Sequence, residues 1–294
     1  MDKRTASDSA RTLFEAHGRS FEGNWYVYPV LSRRSGGISI GVNLSRDKGC
    51  NFRCIYCQVD RGGPGEKAPV DLGRLADELD HMLGLATSGQ IYQQPKFRAT
   101  PESLRRLNDV ALSGDGEPTT CPQFDQVVTV CAEVRRRRGL DDLKLVLITN
   151  ASLLHDPRVR GALEVLDANG GEIWAKLDAG TEAYYGQVAR TDVPLRQILD
   201  NLADAARVRA IVIQSLFMRI RGEAPPPAEQ EAYTERLREI VAGGGRIRLV
   251  QIHTIARTPT ESWVAPLADA EVDAMAELVR RRTDLPVAAF YGGA

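Results

Sequence analysis

No stretch of this sequence approaches the roughly 18 apolar residues that a membrane-spanning helix needs. The polar N-terminus, Met1-Asp2-Lys3-Arg4-Thr5, carries no apolar segment of the secretory type. Neither charge is in excess: 38 Lys and Arg against 39 Asp and Glu leave −1, without the basic balance of a dedicated nucleic-acid binder. Cysteine is scarce, five in 294 residues, and the number is odd. With no export signal, a disulfide framework is not expected, and metal or redox chemistry becomes the leading use of any cysteine cluster. Of the four histidines, His17, His81 and His155 stand at no ligand spacing. Trp25, Trp174 and Trp263 are too scattered to predict a stacking platform. Internal repeats and low-complexity tails are missing, and the expected compartment is the cytoplasm.

What recurs instead is strand, loop, helix. Short runs rich in β-branched residues predict strands at 38–43, 109–113, 143–150, 172–178, 210–218 and 246–255. Leu145-Val146-Leu147-Ile148 and Ile211-Val212-Ile213 are continuous apolar runs, as expected of strands covered on both faces. Between strands, Leu72, Leu75, Leu79, Met82 and Leu83 share one helical face behind a candidate N-cap, Asp71. Phe124, Val127, Val128, Cys131 and Val134 share another, which assigns Cys131 to the core. Alternation of this kind predicts an α/β fold with parallel strands and crossover helices. Six units suit a partial (β/α)6 TIM-like barrel; a doubly wound sheet is the rival topology.

An N-terminal extension is expected over 1–36, with a helix and an extended segment from Tyr26 to Leu31. The core is expected over 37–258, and a C-terminal extension over 259–294 with a helix at 269–282 and a last strand at 287–291. Loop signals are Gly62-Gly63-Pro64-Gly65, Pro225-Pro226-Pro227 and Gly243-Gly244-Gly245.

Directly after the first predicted strand comes Gly49-Cys50-Asn51-Phe52-Arg53-Cys54-Ile55-Tyr56-Cys57, a C-x3-C-x2-C spacing. Thiolates this close on one loop can converge on a single metal centre. Structural zinc usually takes four ligands and a [4Fe–4S] cube normally four cysteines. With no fourth cysteine nearby, a cluster would keep one iron open for chemistry. A three-cysteine zinc knuckle completed by a distant histidine, and a chance spacing, are the competing readings.

The loop, with Tyr56 in its aromatic slot, resembles the signature of the radical S-adenosylmethionine superfamily. Three further stretches are similar to that superfamily. Ser113-Gly114-Asp115-Gly116-Glu117-Pro118-Thr119 follows the second predicted strand, with Asp115 where the first of two paired glycines is common. Ile148-Thr149-Asn150-Ala151 closes the third strand, and Ala175-Lys176-Leu177-Asp178-Ala179 the fourth. Gly-Asp-Gly-Glu-Pro-Thr, Lys-Leu-Asp-Ala-Gly and the late Ala256-Arg257-Thr258-Pro259-Thr260-Glu261-Ser262-Trp263 stretch bring the wyosine-synthetase-like group nearest.

The resemblance implies a [4Fe–4S] cluster on Cys50, Cys54 and Cys57, which are also the catalytic residues. S-adenosylmethionine would bind through Tyr56, Gly114, Asp115, Gly116, Glu117, Asn150, Lys176, Asp178, Gln214 and His253. It implies reductive cleavage of S-adenosylmethionine to a 5′-deoxyadenosyl radical that takes a hydrogen atom from a substrate: a small molecule, a nucleoside or RNA, or a protein. An electron donor such as flavodoxin or ferredoxin is the implied partner, and no membrane is. A glycyl-radical activase and a non-catalytic zinc-stabilised module are the alternatives. No cysteine precedes Cys50, so the second cluster used in forming tetracyclic wyosine bases is not expected. Cys121, just past the turn, reads as a buried loop residue. Arg135–Arg138 and Arg280–Arg282 read as solvated helix ends.

Overall fold

The computed structural model describes residues 19–61 and 68–292. The start of the N-terminal extension in which a helix is expected, His17 and the Gly62-Gly63-Pro64-Gly65 segment lie outside the described residues. The chain divides into two compact units. One takes residues up to 49, 64–148 and 157–172; the other takes 50–63, 149–156 and 173 onward.

In the first unit, β1 (Val27–Ser32) pairs antiparallel with β2 (Gly37–Val42), from Val27 opposite Val42 to Ser32 opposite Gly37. The extended segment expected from Tyr26 is thus an edge strand. Strand β2 runs parallel to β3 (Leu107–Leu112), and β3 parallel to β4 (Lys144–Thr149). Three crossover helices cover these strands: α1 (Leu72–Thr87), α2 (Phe124–Arg137) and α3 (Pro157–Ala168). Asp71 is the N-cap of α1, accepting from Arg74 N–H at 3.0 Å, and Leu75, Leu79, Met82 and Leu83 are fully buried. Each such side chain contributes about 1.5–3 kcal/mol by leaving water. Cys131 packs in the core on the inner face of α2, as its spacing predicts.

Glu78 on α1 fastens the strand edge. Its carboxylate accepts from the backbone N–H of Trp25, Tyr26 and Val27 at 2.8–3.2 Å and from Arg74 Nε at 2.8 Å. The end of α2 is solvated at Arg136, Arg137 and Arg138, as expected, but not at Arg135. Arg135 is buried and donates to the carbonyls of Leu143 and Asn169, both at 2.6 Å, while Arg138 pairs with Asp80. A guanidinium satisfies several carbonyls that a sequence cannot show converging.

The second unit holds β5 (Glu172–Lys176), β6 (Ile211–Leu216), β8 (Ile247–His253) and β10 (Val287–Phe290), parallel and adjacent in that order. A short antiparallel pair, β7 (Met218–Ile220) with β9 (Val264–Pro266), was not foreseen, because three residues carry too little periodicity to register. Helices α4 (Glu182–Ala189), α5 (Leu195–Val208), α6 (Pro227–Ala242) and α7 (Asp269–Thr283) complete it. The triple proline opens α6, with Pro227 at its first position where no N–H is needed, and the triple glycine follows its last residue.

Register sets the face of each polar residue. Lys176, Gln214 and Gln251 are directly paired across β5, β6 and β8, so their side chains leave the same face of the sheet. Ser215, one residue on, points to the other face, where its hydroxyl meets Tyr233 of α6 at 2.6 Å.

Candidate functional site

In the first unit the site is built on the loops after β2 and β3. Asn43 and Ser45 open the segment that leads to Gly49, and Gly114 to Glu117 form the turn after β3. The two segments touch. A methyl at Gly116 would run into the Gly49 carbonyl oxygen and Ser45 Oγ, so only glycine lets the backbones approach this closely. Glu117 is buried, and its Oε1 accepts from Thr119 N–H at 3.2 Å and Thr119 Oγ1 at 2.7 Å. Arg158, entering from α3, donates to the carbonyls of Thr119 (3.2 Å) and Cys121 and holds the far side of the turn. Asp115 turns its carboxylate to Asn43 and Arg19. Cys121 is buried, as expected, and burial raises its thiol pKa. It lies against a cleft of about 510 Å³ whose walls include Leu44, Arg46, Pro69, Val70 and Pro122. Trp25, beside this cleft, carries the guanidiniums of Arg46 and Arg74 at 3.9 and 3.7 Å from its ring centre, a stack that sequence spacing does not show.

In the second unit the site is the cysteine loop and the strand ends beside it. Arg53 and Ile55 donate their N–H groups to the carbonyls of Ala189 and Val188 at 3.1 and 3.0 Å, so the loop is pinned along the end of α4. Tyr56 is buried; its hydroxyl donates to Asp178 and accepts from Lys176 Nζ at 3.1 Å. Asp178 Oδ1 also accepts from Leu216 N–H at 2.8 Å. Burial holds the Asp178 carboxyl above the usual carboxylate range, against the opposing pull of Lys176, Tyr56 and the Leu216 N–H. Tyr56 is raised well above the usual phenol range, by burial first and then by Asp178. Cys54 packs against the apolar cluster of Ile55, Tyr56, Val188 and Met218. Burial pushes its thiol up to about 12, with Lys176 pulling it down and Asp178 up.

Asn150 donates to Asn51 Oδ1 at 2.8 Å, and Asn51 donates to Ser152 Oγ at 2.7 Å, so the end of β4 is tied to the loop by side-chain amides. Gln214 is fully buried: its Nε2 donates to Gln251 Oε1 at 2.8 Å, while its own Oε1 has no hydrogen-bond partner. His253 is buried two residues beyond Gln251 on the same strand face. The late loop at 256–263 was noted in the sequence only as a family likeness, and its role is local. Thr260 donates through N–H and Oγ1 to the Cys57 carbonyl, both at 3.1 Å, and Arg257 and Gln58 exchange contacts at 3.4 Å. Backbone carbonyl capture by a distant threonine leaves no signal in spacing.

None of the three loop cysteines is in a disulfide. Their number and chemistry fit an iron–sulfur cluster: sulfur donors only, within eight residues. The thiols are not drawn together, and no group of three or more His, Cys, Asp or Glu among the described residues is arranged to hold a metal ion. Cys54 faces inward to Tyr56, whereas Cys57 Sγ stands 3.6 Å from Arg61.

A parallel α/β fold with this cysteine loop after its first parallel strand, and a Gly-Asp-Gly-Glu-Pro-Thr turn after the next, is the arrangement that the likeness to one class, the radical S-adenosylmethionine enzymes, implies. Enzymes of that class use a [4Fe–4S] cluster and S-adenosylmethionine. The chain is similar to a UPF0026 protein of Helicobacter pylori (strain ATCC 700392 / 26695), 29% identical over 142 residues, covering 47% of this chain and 39% of that one. It is 25% identical over 248 residues to GTP 3′,8-cyclase 2 of Mycobacterium tuberculosis (strain ATCC 25618 / H37Rv), covering 83% and 58%. It spans less than two thirds of the length of either relative. A solved structure of TYW1 with a lysine–pyruvate adduct bound matches with a TM-score of 0.56 at 16% identity, over 94% of this chain and 81% of that one. That likeness shows the partial (β/α) barrel fold expected from the alternating strands and helices. No family model matches the chain. No helix among the described residues is long and apolar enough to cross a membrane.

Proposed function

We propose that this chain cleaves S-adenosylmethionine reductively and uses the product to take a hydrogen atom from a substrate. The observation that carries the reading is the Gly49–Cys57 loop: three cysteines within eight residues, none in a disulfide, on a segment whose first residue packs against the Gly116 turn. When bound, the cluster and S-adenosylmethionine supply the electron transfer and bond cleavage that give the 5′-deoxyadenosyl radical.

The chain's own residues bind, orient and shield. Cys50, Cys54 and Cys57 hold the cluster. Glu117, fixed by Thr119, is the carboxylate for the ammonium group of S-adenosylmethionine, because an ionised acceptor makes the stronger hydrogen bond to it. Lys176 and Asp178, locked through Tyr56, offer a cation and a carboxyl at the end of β5. Asn150, Gln214 and His253 line the neighbouring strand ends, and the unpartnered Gln214 Oε1 is an acceptor available to a bound donor. The apolar cluster behind Cys54 keeps water from the loop. Electrons come from a carrier of the flavodoxin or ferredoxin kind. The likeness to GTP 3′,8-cyclase 2 directs the first substrate trials to guanine nucleotides.

The test is anaerobic. Wild-type and Cys54→Ala protein are reconstituted with iron and sulfide, reduced with dithionite and given S-adenosylmethionine. 5′-Deoxyadenosine from the wild type alone supports the reading. A colourless protein with about one zinc per chain and no product replaces it with the zinc-stabilised module.

A further inference from the structure

We propose that Asp115 is a positioning residue: paired with Asn43, it holds the Glu117 turn against the start of the cysteine loop, work that a glycine at this position does not perform. The proposal rests on the function proposed above, and it concerns the residue by which this chain departs from the commoner paired glycines.

Asn43 follows the last residue of β2 and is 5% exposed. Its Oδ1 accepts from the N–H of Ser45 and the N–H of Asp115, both at 3.1 Å. Its Nδ2 donates to Asp115 Oδ2 at 2.7 Å. The other Asp115 oxygen takes Arg19. The orientation of the amide is fixed by this chemistry: turned over, it would face its NH2 toward two N–H donors and its oxygen toward a carboxylate.

One side chain therefore satisfies a backbone donor in each loop. Ser45 begins the segment to Cys50, tightened further by Lys48 N–H donating to the Ser45 carbonyl and Gly49 N–H to Asp47, both at 2.9 Å. Asp115 begins the turn to Glu117. Gly114 admits the arrangement, since a side chain there would strike the Asn43 amide. With Arg158 at the far end, the turn is clamped on both sides of Glu117. A glycine at 115 would keep the backbone contact to Asn43 but lose both carboxylate contacts, leaving Asn43 Nδ2 and Arg19 without this acceptor. The carboxylate of Asp115 thus serves the protein's own loops, and Glu117 is left as the carboxylate for ligand.

The test compares Asp115→Gly, Asp115→Asn, Asn43→Ala and the double variant Asn43→Ala/Asp115→Gly. Hydrogen exchange over 113–119 is read in cluster-free protein, and S-adenosylmethionine binding by equilibrium dialysis in reconstituted protein. Asp115→Gly is expected to exchange faster over 113–119 and to bind about tenfold more weakly, the effect of one charge-assisted hydrogen bond. Iron per chain stays at the wild-type value, and the melting temperature falls by no more than about 4 °C. Asp115→Asn, which keeps an acceptor for Asn43, recovers most of the affinity. The double variant falls short of the sum of the two singles, because both remove the shared Asn43–Asp115 contact. Unchanged exchange and affinity in Asp115→Gly overturns the proposal, as does loss of iron or a fall in melting temperature above about 4 °C in that variant, or fully additive effects. A wild type that binds no S-adenosylmethionine overturns instead the function proposed above, while the exchange data still decide on the contact.

Discussion

Tyr56, inside the cysteine loop, donates its phenolic hydrogen to Asp178, two residues beyond the end of β5, and the pair is part-buried. The same hydroxyl accepts from Lys176 at 3.1 Å, and that ammonium lies 4.8 Å from the centre of the Tyr56 ring. The aromatic slot of the loop therefore has a mechanical role: it anchors the segment carrying Cys54 and Cys57 to the strand that follows it far along the chain.

Tyr56→Phe removes the hydroxyl and leaves Asp178 Oδ2 and Lys176 without that partner. We expect a loss of about 1–3 kcal/mol in unfolding free energy by urea titration. Reconstituted iron should also leave the variant faster under a chelator, because the loop is less constrained. A variant with wild-type stability and wild-type iron release would show that the contact anchors nothing.

Gly116→Ala places a methyl against backbone, which cannot swing away as a side-chain end can. The expected cost is about 1–3 kcal/mol of overpacking. Iron and sulfide per chain after reconstitution should drop with it, since the displaced neighbour is Gly49, next to Cys50. Gly161 in α3, where an added methyl would meet nothing nearby, is the control position for iron loading.

Ala151 follows the Thr149-Asn150 strand end in the left-handed region, φ 65°, and is fully buried. An alanine there costs roughly 1–2 kcal/mol. Replacing it by glycine removes that strain but also about 0.8 kcal/mol of methyl burial and adds about 0.5–1 kcal/mol of chain entropy. The effects nearly cancel, so Ala151→Gly should unfold within about 1 kcal/mol of wild type. Ala151→Val, β-branched in the same region, should lose upward of about 2 kcal/mol. Equal midpoints for the two variants in urea would contradict this account.

Glu78→Ala would strip three backbone N–H groups of their acceptor at the start of the edge strand. We expect a loss of about 2–4 kcal/mol, from leaving buried donors unsatisfied. Faster hydrogen exchange confined to 25–32 would locate it, and Glu78→Gln should recover part.

Asp109, buried on β3, accepts from Ser39, and burial raises its pKa against the opposing effects of Ser39, Ser35, Arg34 and Lys144. A raised folded pKa means the native state holds this proton more tightly than the unfolded chain. Its stabilising contribution is complete below the unfolded carboxylate pKa and is lost as pH rises through the folded value. Asp109→Asn should remove that slope, and urea midpoints from pH 3.5 to 7, spanning about the carboxylate range, read it. A wild type and a variant with parallel pH profiles would rule out this assignment.

The alternation of strand and helix, the capped face of α1, the triple-proline start of α6 and the three clustered cysteines are local facts. They rest on side-chain periodicity, on proline's missing N–H and on spacing within one loop, and so they were legible in the sequence. The same holds for the order of Glu117, Asn150, Lys176 and Asp178 along the chain, each at or after a predicted strand, because each strand is marked by its own local run of residues. Whether Asp115 faces ligand or protein was not legible. Its direction depends on Asn43, 72 positions away, and on Arg19, 96 positions away. Nor was the burial of Arg135, the capture of the Cys57 carbonyl by Thr260, or the pairing of Gln214 with Gln251. Each is a hydrogen bond between residues far apart in the chain, and a buried polar group takes whatever partner the packed backbone brings within reach. Sequence determined which groups this protein has for chemistry; tertiary structure alone decided which of them hold one another in place.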